Sequence, residues 1–322
     1  MSELGPVYTM GASYRARAEA RQREYRAHTL SVQHGKYGHL LAQADADEGR
    51  NFLLPEAFEA ARARQRAGKG VAPRTFENML SSQAMCFNVF APLTTRLSLA
   101  GDVLRPFVPG LAEVTSIEIE HTPPGDIFKD QSGRGGVDCD LLIEGTNSGG
   151  EPLILVVETK FVEPEFSICG FKKSGRAEKG QAVCPGDVPV RANRRACLYT
   201  RDKGYAYWQR SDQHGLLTDG ALADVGCPFA GAMWQLWVNF ALAHEEAKRR
   251  GAKDVRFAVC TSVNNVALLE GGKVLDAFRS LLRHPEAIYL IDLDALLARV
   301  EAISPRELGT WATGLSARYR RI

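Results

Sequence analysis

Acidic and basic side chains stand inside two segments that otherwise have the apolar character of buried strands. Asp140 lies in residues 137–143, and Glu158 and Lys160 follow the apolar run 153–157. Two carboxylates can hold Mg²⁺ or Mn²⁺ when phosphate oxygens and water supply the other ligands. A metal held in this way makes its bound water more acidic, and a nearby lysine can orient that water and stabilise charge on a phosphate. The residue types therefore indicate metal-dependent hydrolysis of a phosphodiester.

The linker between these segments predicts the hairpin that would bring the carboxylates together. Residues 146–152 read Thr-Asn-Ser-Gly-Gly-Glu-Pro, which is typical of a turn, so the flanking strands should pair antiparallel. Gly149 is the midpoint, with Asp140 nine residues before it and Glu158 nine residues after it. We therefore expect the two carboxylates to face each other, with Asp138 on the same face as Asp140. A structural acid–lysine pair on an exposed edge strand is the alternative explanation.

The pattern of Asp140, Glu158 and Lys160, with one threonine between the last two, resembles the PD-(D/E)XK nuclease superfamily. The surrounding sequence resembles a bacterial family of restriction endonucleases within it. The resemblance covers roughly residues 75–300 and includes Asn78 to Phe90, Cys227-Pro228-Phe229 and Gln235-Leu236-Trp237. It implies an endonuclease of restriction or defence type that cuts DNA, with Mg²⁺ or Mn²⁺ as cofactor and Gln235 supporting the site.

One departure from the superfamily leaves the choice of aspartate open. The Pro-Asp pair expected before the hairpin is absent, and Val137-Asp138 and Cys139-Asp140 stand there instead. The nearest proline, Pro124, belongs to the loop 124–126. We predict Asp140 and Glu158 as the metal ligands because of their register, and keep Asp138 as the alternative to Asp140.

The composition indicates the general class of protein. With 322 residues, 45% hydrophobic and 24% charged, the chain has the make-up of an ordinary globular protein with a large core. Residues 1–11 lack the features of a secretion signal and no run approaches a membrane span, which favours a cytoplasmic protein without a membrane partner.

We expect a helical or irregular extension at 1–74, and a nuclease-like domain at 75–322 with an insertion at about 162–230. A homodimer is one assembly that would allow both DNA strands to be cut.

Positive charge is concentrated just after the second hairpin strand. The whole chain has a net charge of +2, yet residues 172–203 alone carry +6. The basic residues there are Lys172, Lys173, Arg176, Lys179, Arg191, Arg194, Arg195, Arg201 and Lys203. Such charge beside a metal site suits the phosphate backbone of DNA, and a solvated surface is the alternative. A second basic stretch at 62–74 is better explained as a solvated helix face.

Four of the seven cysteines, Cys169, Cys184, Cys197 and Cys227, fall inside the expected insertion. Disulfides are disfavoured in the cytoplasm, where four thiolates more readily share a metal. The family resemblance also includes cysteines at these places. We therefore expect a structural Zn²⁺ ion or an iron–sulfur cluster. Against it, no Cys-x-x-Cys pair is present, and free cysteines also serve as small buried hydrophobic residues.

Hydrophobic spacing predicts the elements around the hairpin. Phe76, Leu80, Gln83, Phe87 and Phe90 recur at helical spacing, which predicts one helix with a buried stripe. Gln83 interrupts that stripe, either to hydrogen-bond main chain or to face the hairpin.

Residues beyond the hairpin predict the fold class. Residues 117–120 indicate a strand, 230–250 a long helix, and the later chain alternates strands with helices. This order predicts an α/β fold: a restriction-endonuclease-like mixed β-sheet core flanked by helices, with a cysteine-containing insertion after the catalytic hairpin. Two other functions compete with the endonuclease, namely a nucleic-acid-binding module with an inactive nuclease fold and a small-molecule metallohydrolase.

Overall fold

The computed structural model describes residues 3–68, 70–123, 127–130, 137–173 and 175–322. The loop 124–126, with the proline noted above, and Lys69 of the second basic stretch therefore lie outside the described residues. One five-stranded sheet has the order β1-β2-β3-β4-β5. Its strands are β1 (Leu111–His121), β2 (Cys139–Asn147), β3 (Pro152–Thr159), β4 (Asp254–Thr261) and β5 (Ile288–Asp292). β1, β2 and β3 pair antiparallel, whereas β3, β4 and β5 pair parallel. The predicted mixed sheet is confirmed.

The β2–β3 hairpin has the register that the turn predicts. Leu141 pairs with Val157, so Asp140 and Glu158 are the next residues of the two strands at the open end. Asn147 stabilises the turn because its side-chain oxygen accepts hydrogen bonds from the main-chain N–H groups of Gly149 and Glu151. Gly150 has a φ of +78°, a conformation that glycine adopts at little cost. A one-residue slip would move every side chain of a strand to the opposite face, which makes this register hard to change.

Helices cover both faces of the sheet, and β3 separates two hydrophobic cores. Leu155 and Val157 belong to one core, whereas Ile154 and Val156 belong to the other. The α-helices are α1 (Tyr14–Glu24), α2 (Gln43–Asp47), α3 (Pro55–Arg66), α4 (Arg74–Glu77), α5 (Ser82–Phe90), α6 (Leu97–Leu104), α7 (Leu198–Lys203), α8 (Tyr207–Gln213), α9 (Met233–Arg250), α10 (Val266–Leu269), α11 (Lys273–Arg279), α12 (Leu293–Ile303) and α13 (Gly309–Tyr319). α9 packs against β3 and β4 and gives the site two of its side chains.

The prediction of one continuous helix through Phe76 and Phe90 is wrong. The chain leaves helical geometry at Asn78, whose ψ is 107°, and a new helix starts after Ser81. The Ser81 hydroxyl accepts a hydrogen bond from the N–H of Ala84, which is a favourable N-cap. The main chain of the break pairs instead with residues 39–41.

The N-terminal residues pack into the same core as the C-terminal helix. Buried Tyr14 and Tyr25 share a hydrophobic core with Trp311 and Tyr319 of α13. Gln22 donates a hydrogen bond to the main-chain carbonyl of Arg318 at 2.7 Å. The division of the chain at residue 75 stays a prediction. Within the described residues, no helix is both long and apolar enough to cross a membrane.

Candidate active site

Three carboxylates lie side by side across the three antiparallel strands, at the end of the sheet opposite the β2–β3 turn. Since Ile119 pairs with Leu141 and His121 with Cys139, Glu120 of β1 lies beside Asp140 of β2. The hairpin register in turn places Asp140 beside Glu158 of β3. Neighbouring strands are about 5 Å apart, so side chains in such a row can act on one ligand. We call Glu120, Asp140 and Glu158 the carboxylate row.

Asp140 is held by the threonine between Glu158 and Lys160. The main-chain N–H and the hydroxyl of Thr159 both donate to Oδ2 of Asp140, at 2.6 and 2.7 Å. Thr159 is itself fully buried. Both bonds go to one oxygen, which fixes the orientation of the carboxylate and directs Oδ1 away from Thr159. An oriented carboxylate of this kind is what a metal site needs.

Glu158 accepts hydrogen bonds from three side chains. Gln235 donates to Oε1 at 2.6 Å and Asn239 donates to Oε2 at 2.5 Å. Lys160 also donates to Oε1, in an ion pair of 2.5 Å between side chains that are 3% and 10% exposed. The structure thus brings Glu158, Lys160 and Gln235 together as the sequence indicated.

Asn239 joins Gln235 at the site, although the sequence analysis gave a role only to Gln235. It lies one helical turn after Gln235 on α9, and the four-residue spacing places both amides on one face. Gln235 has a second contact, because its Oε1 accepts a hydrogen bond from the N–H of Ser167 at 3.0 Å. The residues after β3 are therefore tied to the same amide that supports Glu158.

Negative charge in the row is destabilised by burial. Burial raises the pKa of Glu158 to about 7, and repulsion from Asp140 adds to the shift. Burial also raises the pKa of Asp140. For Lys160, burial alone would lower the pKa, but the charges of Glu158, Asp140 and Glu163 raise it instead. A divalent cation between the carboxylates would remove this repulsion, so the electrostatics fit a metal site.

Glu120 was missed by the sequence prediction, although it is a buried carboxylate with a strongly raised pKa. It is 4% exposed and has a φ of +52°, which is unusual for a residue with a side chain. Its Oε1 has no hydrogen-bond partner among the described residues. Burial, followed by the charge of Asp140, raises its pKa to about 9. A strained backbone carrying an unsatisfied buried carboxylate is typical of a functional position.

The N-terminal residues complete the surroundings of Glu120. The guanidinium of Arg64 on α3 donates to the main-chain carbonyl of Glu120. A β-carbon at Gly70 would lie 3.3 Å from Oδ2 of Asp138 and 3.5 Å from Oε2 of Glu120. Asp138 thus lies near the row, but the register places Asp140 in it. The basic stretch at 62–74 is therefore not only a solvated helix face.

Gln83 hydrogen-bonds main chain, which is the first of the two roles that the sequence left open. Its amide donates to the main-chain carbonyl of Gly70 at 3.1 Å and accepts from the hydroxyl of Thr75 at 2.6 Å. Its side chain also hydrogen-bonds Glu120 and opposes the rise in the pKa of that carboxylate. It therefore joins the loop at Gly70 to the carboxylate row.

We expect the substitution Glu120→Gln to weaken the binding of Mn²⁺ at least about tenfold, because it removes a charged oxygen from the row. In the absence of metal the same change should stabilise the fold, because burial raises the pKa of Glu120 to about 9 and glutamine needs no proton to be buried in neutral form. Calorimetric titration with Mn²⁺ and thermal unfolding in chelator measure the two effects. Glu113→Gln, at an exposed position of the same strand, is the control. Unchanged Mn²⁺ affinity in Glu120→Gln would exclude this carboxylate from the metal site.

The basic segment 172–203 is partly neutralised by acidic neighbours. Arg191 pairs with Asp224 at 2.9 Å and Arg194 with Asp212 at 3.0 Å, and Arg201 pairs with the adjacent Asp202. The basic residues of the segment that are exposed and make no ion pair among the described residues are Lys173, Lys179, Arg195 and Lys203. These four side chains are the ones that could contact a phosphate backbone.

The four cysteines of the expected insertion line one small cavity, although they are up to 58 residues apart in the chain. In the described parts of the chain, no group of three or more His, Cys, Asp or Glu side chains is arranged to hold a metal ion. A divalent ion at the carboxylate row would thus need ligands from phosphate and water as well as from protein. A separate cavity, lined by His214, His244 and Arg256 among others, lies near the β2–β3 turn and away from the row.

Comparison with known proteins supports the same assignment. A model of the PD-(D/E)XK nuclease superfamily matches residues 10–180, just over half of the chain. The match contains Glu120, Asp140, Glu158 and Lys160, and it begins well before residue 75. No curated protein and no solved structure matches the chain. With its mixed sheet, its row of carboxylates and the lysine beside Glu158, the chain belongs to the PD-(D/E)XK nuclease superfamily.

Proposed function

We propose that this protein is a metal-dependent DNA endonuclease of restriction or defence type. Asp140 and Glu158 would hold Mg²⁺ or Mn²⁺, with Glu120 as a third carboxylate. The observation that carries the proposal is the buried row of these carboxylates with Lys160 bonded to Glu158. Nucleases of this superfamily usually use divalent metals, and the donor set here consists of the oxygen ligands that Mg²⁺ prefers.

The bound ion would supply Lewis-acid stabilisation of the phosphate and a more acidic water. The protein would supply the positions of the groups. Thr159 orients Asp140, while Gln235 and Asn239 orient Glu158. Lys160 can exchange its contact with Glu158 for the attacking water or a phosphate oxygen, because its ammonium group stays charged.

DNA is the proposed substrate because exposed positive charge follows the catalytic strand. The exposed Lys173, Lys179, Arg195 and Lys203 follow the catalytic strand in sequence, and cations of this kind bind a phosphate backbone. We also propose a cytoplasmic location, which the seven free cysteines favour. A homodimer would place two sites on the two strands of a symmetric target.

The rival function is a nucleic-acid-binding module that keeps the fold but does not cut. A buried lysine in contact with Glu158 and an unsatisfied carboxylate at Glu120 both lower the stability of the fold. A protein that only binds nucleic acid needs neither of them. The structure describes both features, and they favour the enzyme. A small-molecule hydrolase has no comparable use for the four exposed basic residues named above.

We expect the purified protein to cut mixed plasmid and phage DNA in Mg²⁺ or Mn²⁺ and to stop cutting in chelator. Glu158→Ala should abolish cutting because it removes a metal ligand. Glu165→Ala, at an exposed carboxylate a few residues later, should cut like the wild type. Gel analysis of the DNA products measures cutting by the wild type and by both variants. DNA binding without cleavage in either metal, unaffected by chelator and by Glu158→Ala, would establish the binding module instead.

A further inference from the structure

Four cysteines converge on one cavity outside the active site. Cys169, Cys184, Cys197 and Cys227 line it together with aromatic side chains that include Phe171 and Trp234. Cys169, Cys184 and Cys197 are 7%, 7% and 9% exposed. The four thiols are also electrostatic neighbours, since Cys169, Cys184 and Cys197 all act on the pKa of Cys227. The fold therefore collects residues from the whole segment 162–230 around one point.

The cavity offers few partners to a water molecule. Its volume is about 10 Å³, roughly the minimum that accepts one water molecule. A buried water needs two to four polar partners, whereas the residues that line this cavity are mainly cysteine and apolar or aromatic side chains. Thiolates in such surroundings need a cation, and zinc and iron are the metals that four cysteines bind.

Main-chain N–H groups lie near the sulfurs of two of the cysteines. Cys169 and Cys227 each directly precede a short 3-10 helix, Gly170–Lys172 and Pro228–Ala230. Burial raises the pKa of Cys169 to about 11 and that of Cys227 to about 12, and the main-chain N–H groups of Phe171 and Phe229 oppose this rise. Such N–H groups stabilise thiolates, and second-shell hydrogen bonds of this kind orient metal ligands.

The segment has little regular secondary structure. From residue 162 to 230, its described part contains short helices and no strand of the sheet, and the run 181–193 has no helix. Its own small cluster consists of the buried Cys169, Phe171, Cys184 and Leu198. Phe166, Trp208 and Phe229 of the segment pack into the core that contains Ile154 and Val156. A metal centre would add folding free energy by joining distant parts of the segment.

The other three cysteines show the alternative to metal binding, which is the role of a small buried hydrophobic residue. Cys86, Cys139 and Cys260 are buried in helix α5 and in strands β2 and β4, in the large cores or beside them. Each serves there as a small hydrophobic residue. The remaining cysteines of the chain, in contrast, meet one another around a cavity.

We propose that Cys169, Cys184, Cys197 and Cys227 bind one structural metal centre, either an iron–sulfur cluster or a zinc ion, through their four thiolates. On binding, each thiol releases its proton to solvent and its sulfur forms a bond to metal. The described thiols do not have the arrangement that holds a single ion. Binding zinc would draw the sulfurs inward around the cavity, whereas a cluster, with several irons, needs them further apart.

The centre would also support the active site. Trp234 lines the cavity, and its neighbour Gln235 bonds both Glu158 and the N–H of Ser167. A centre that fixes this segment would therefore fix the amide that positions Glu158. This consequence is separate from metal binding itself, which can be measured on a protein that does not cut DNA.

The test is the metal content of the full-length protein purified without oxygen, before and after incubation with Fe²⁺ plus sulfide or with Zn²⁺ under reducing conditions. We expect about four irons with sulfide and absorption in the visible range, or about one zinc, per chain. Alanine at any one of the four positions should remove more than half of that metal. Cys86→Ala, Cys260→Ala and Glu158→Gln should retain it.

Wild-type protein decides the question even if the cysteine variants fail to fold. A protein that contains no metal and takes up neither iron nor zinc would overturn the proposal. So would wild-type protein with these cysteines joined in disulfides, or single variants that fold and keep all their metal. In the metal-loaded protein the four thiols should resist alkylation and should react once a chelator has removed the metal.

Discussion

Lys160→Ala should lower the single-turnover rate of DNA cleavage by about 10²- to 10³-fold while leaving Mn²⁺ bound at least as tightly as in the wild type. The loss of rate is the size expected when one group that stabilises developing charge is removed. Metal binding should survive because Lys160 is not a ligand, and its ammonium group competes for Oε1 of Glu158. A quenched time course with end-labelled DNA and a Mn²⁺ titration measure the two quantities.

Two variants separate this role of Lys160 from a loss of charge or fold. Lys253→Ala removes an exposed lysine at the far end of the sheet, 77% exposed, and should cleave like the wild type. Glu158→Gln should lose both cleavage and Mn²⁺ binding, because it removes a ligand. A Lys160→Ala protein that cuts at the normal rate would exclude the lysine from the reaction. Weaker Mn²⁺ binding in that variant would make it part of the metal site instead.

Arg250→Ala should lower the free energy of unfolding by about 3 kcal/mol or more, the range for breaking a buried ion pair. Arg250 joins α9 to the sheet by ion pairs. It pairs with Glu246 on its own helix at 2.9 Å, with Glu118 of β1 at 2.7 Å, and with Glu144 of β2. Its loss would leave the fully buried Glu246 with fewer partners. Denaturant unfolding of the two proteins at pH 7 measures the difference.

The same network should make the protein sensitive to acid. Burial alone would raise the pKa of Glu246, but His121, Arg249 and Arg250 lower it to about 2. Because the folded pKa lies below the usual value near 4.5, this carboxylate stabilises the fold above that value and less as the pH falls towards 2. Arg250→Ala should therefore show a shallower loss of stability between these pH values than the wild type.

Arg249→Ala is the matched control for the network. Arg249 bonds the same carboxylate at 2.6 Å, but its side chain is 42% exposed, so its removal should cost only about 1 kcal/mol or less. Equal effects of the two substitutions would show that burial does not decide the strength of these pairs. A change below about 0.5 kcal/mol for Arg250→Ala would contradict its role in joining α9 to the sheet.

Local rules were enough to predict the centre of the site. The pairing of Asp140 with Glu158 depends on a short turn and on alternation along two adjacent segments, so it can be counted from the sequence. Gln235 and Asn239 share a face of α9 because they are four residues apart. The facing carboxylates and the lysine follow from the same hairpin.

Other features depend on contacts between distant parts of the chain. Glu120 enters the row only because β1 pairs with β2, and its left-handed backbone is a conformation that sequence patterns do not assign to glutamate. The break before α5 arises where the main-chain N–H of Met79 bonds the carbonyl of His39. Arg64 reaches the site from a helix placed outside the nuclease-like domain by the sequence alone. Tertiary contacts override helical spacing in such places.

The most direct test of the carboxylate row is calorimetric titration of chelator-treated protein with Mn²⁺. We predict binding to the wild type and to the exposed-site variant Glu165→Gln, and binding weakened by about 100-fold or lost in Asp140→Asn and in Glu158→Gln. This pattern would show that the two facing strands hold the ion together. Equal affinity in all four proteins would contradict the account, because the row would then be a buried acidic cluster and not a metal site.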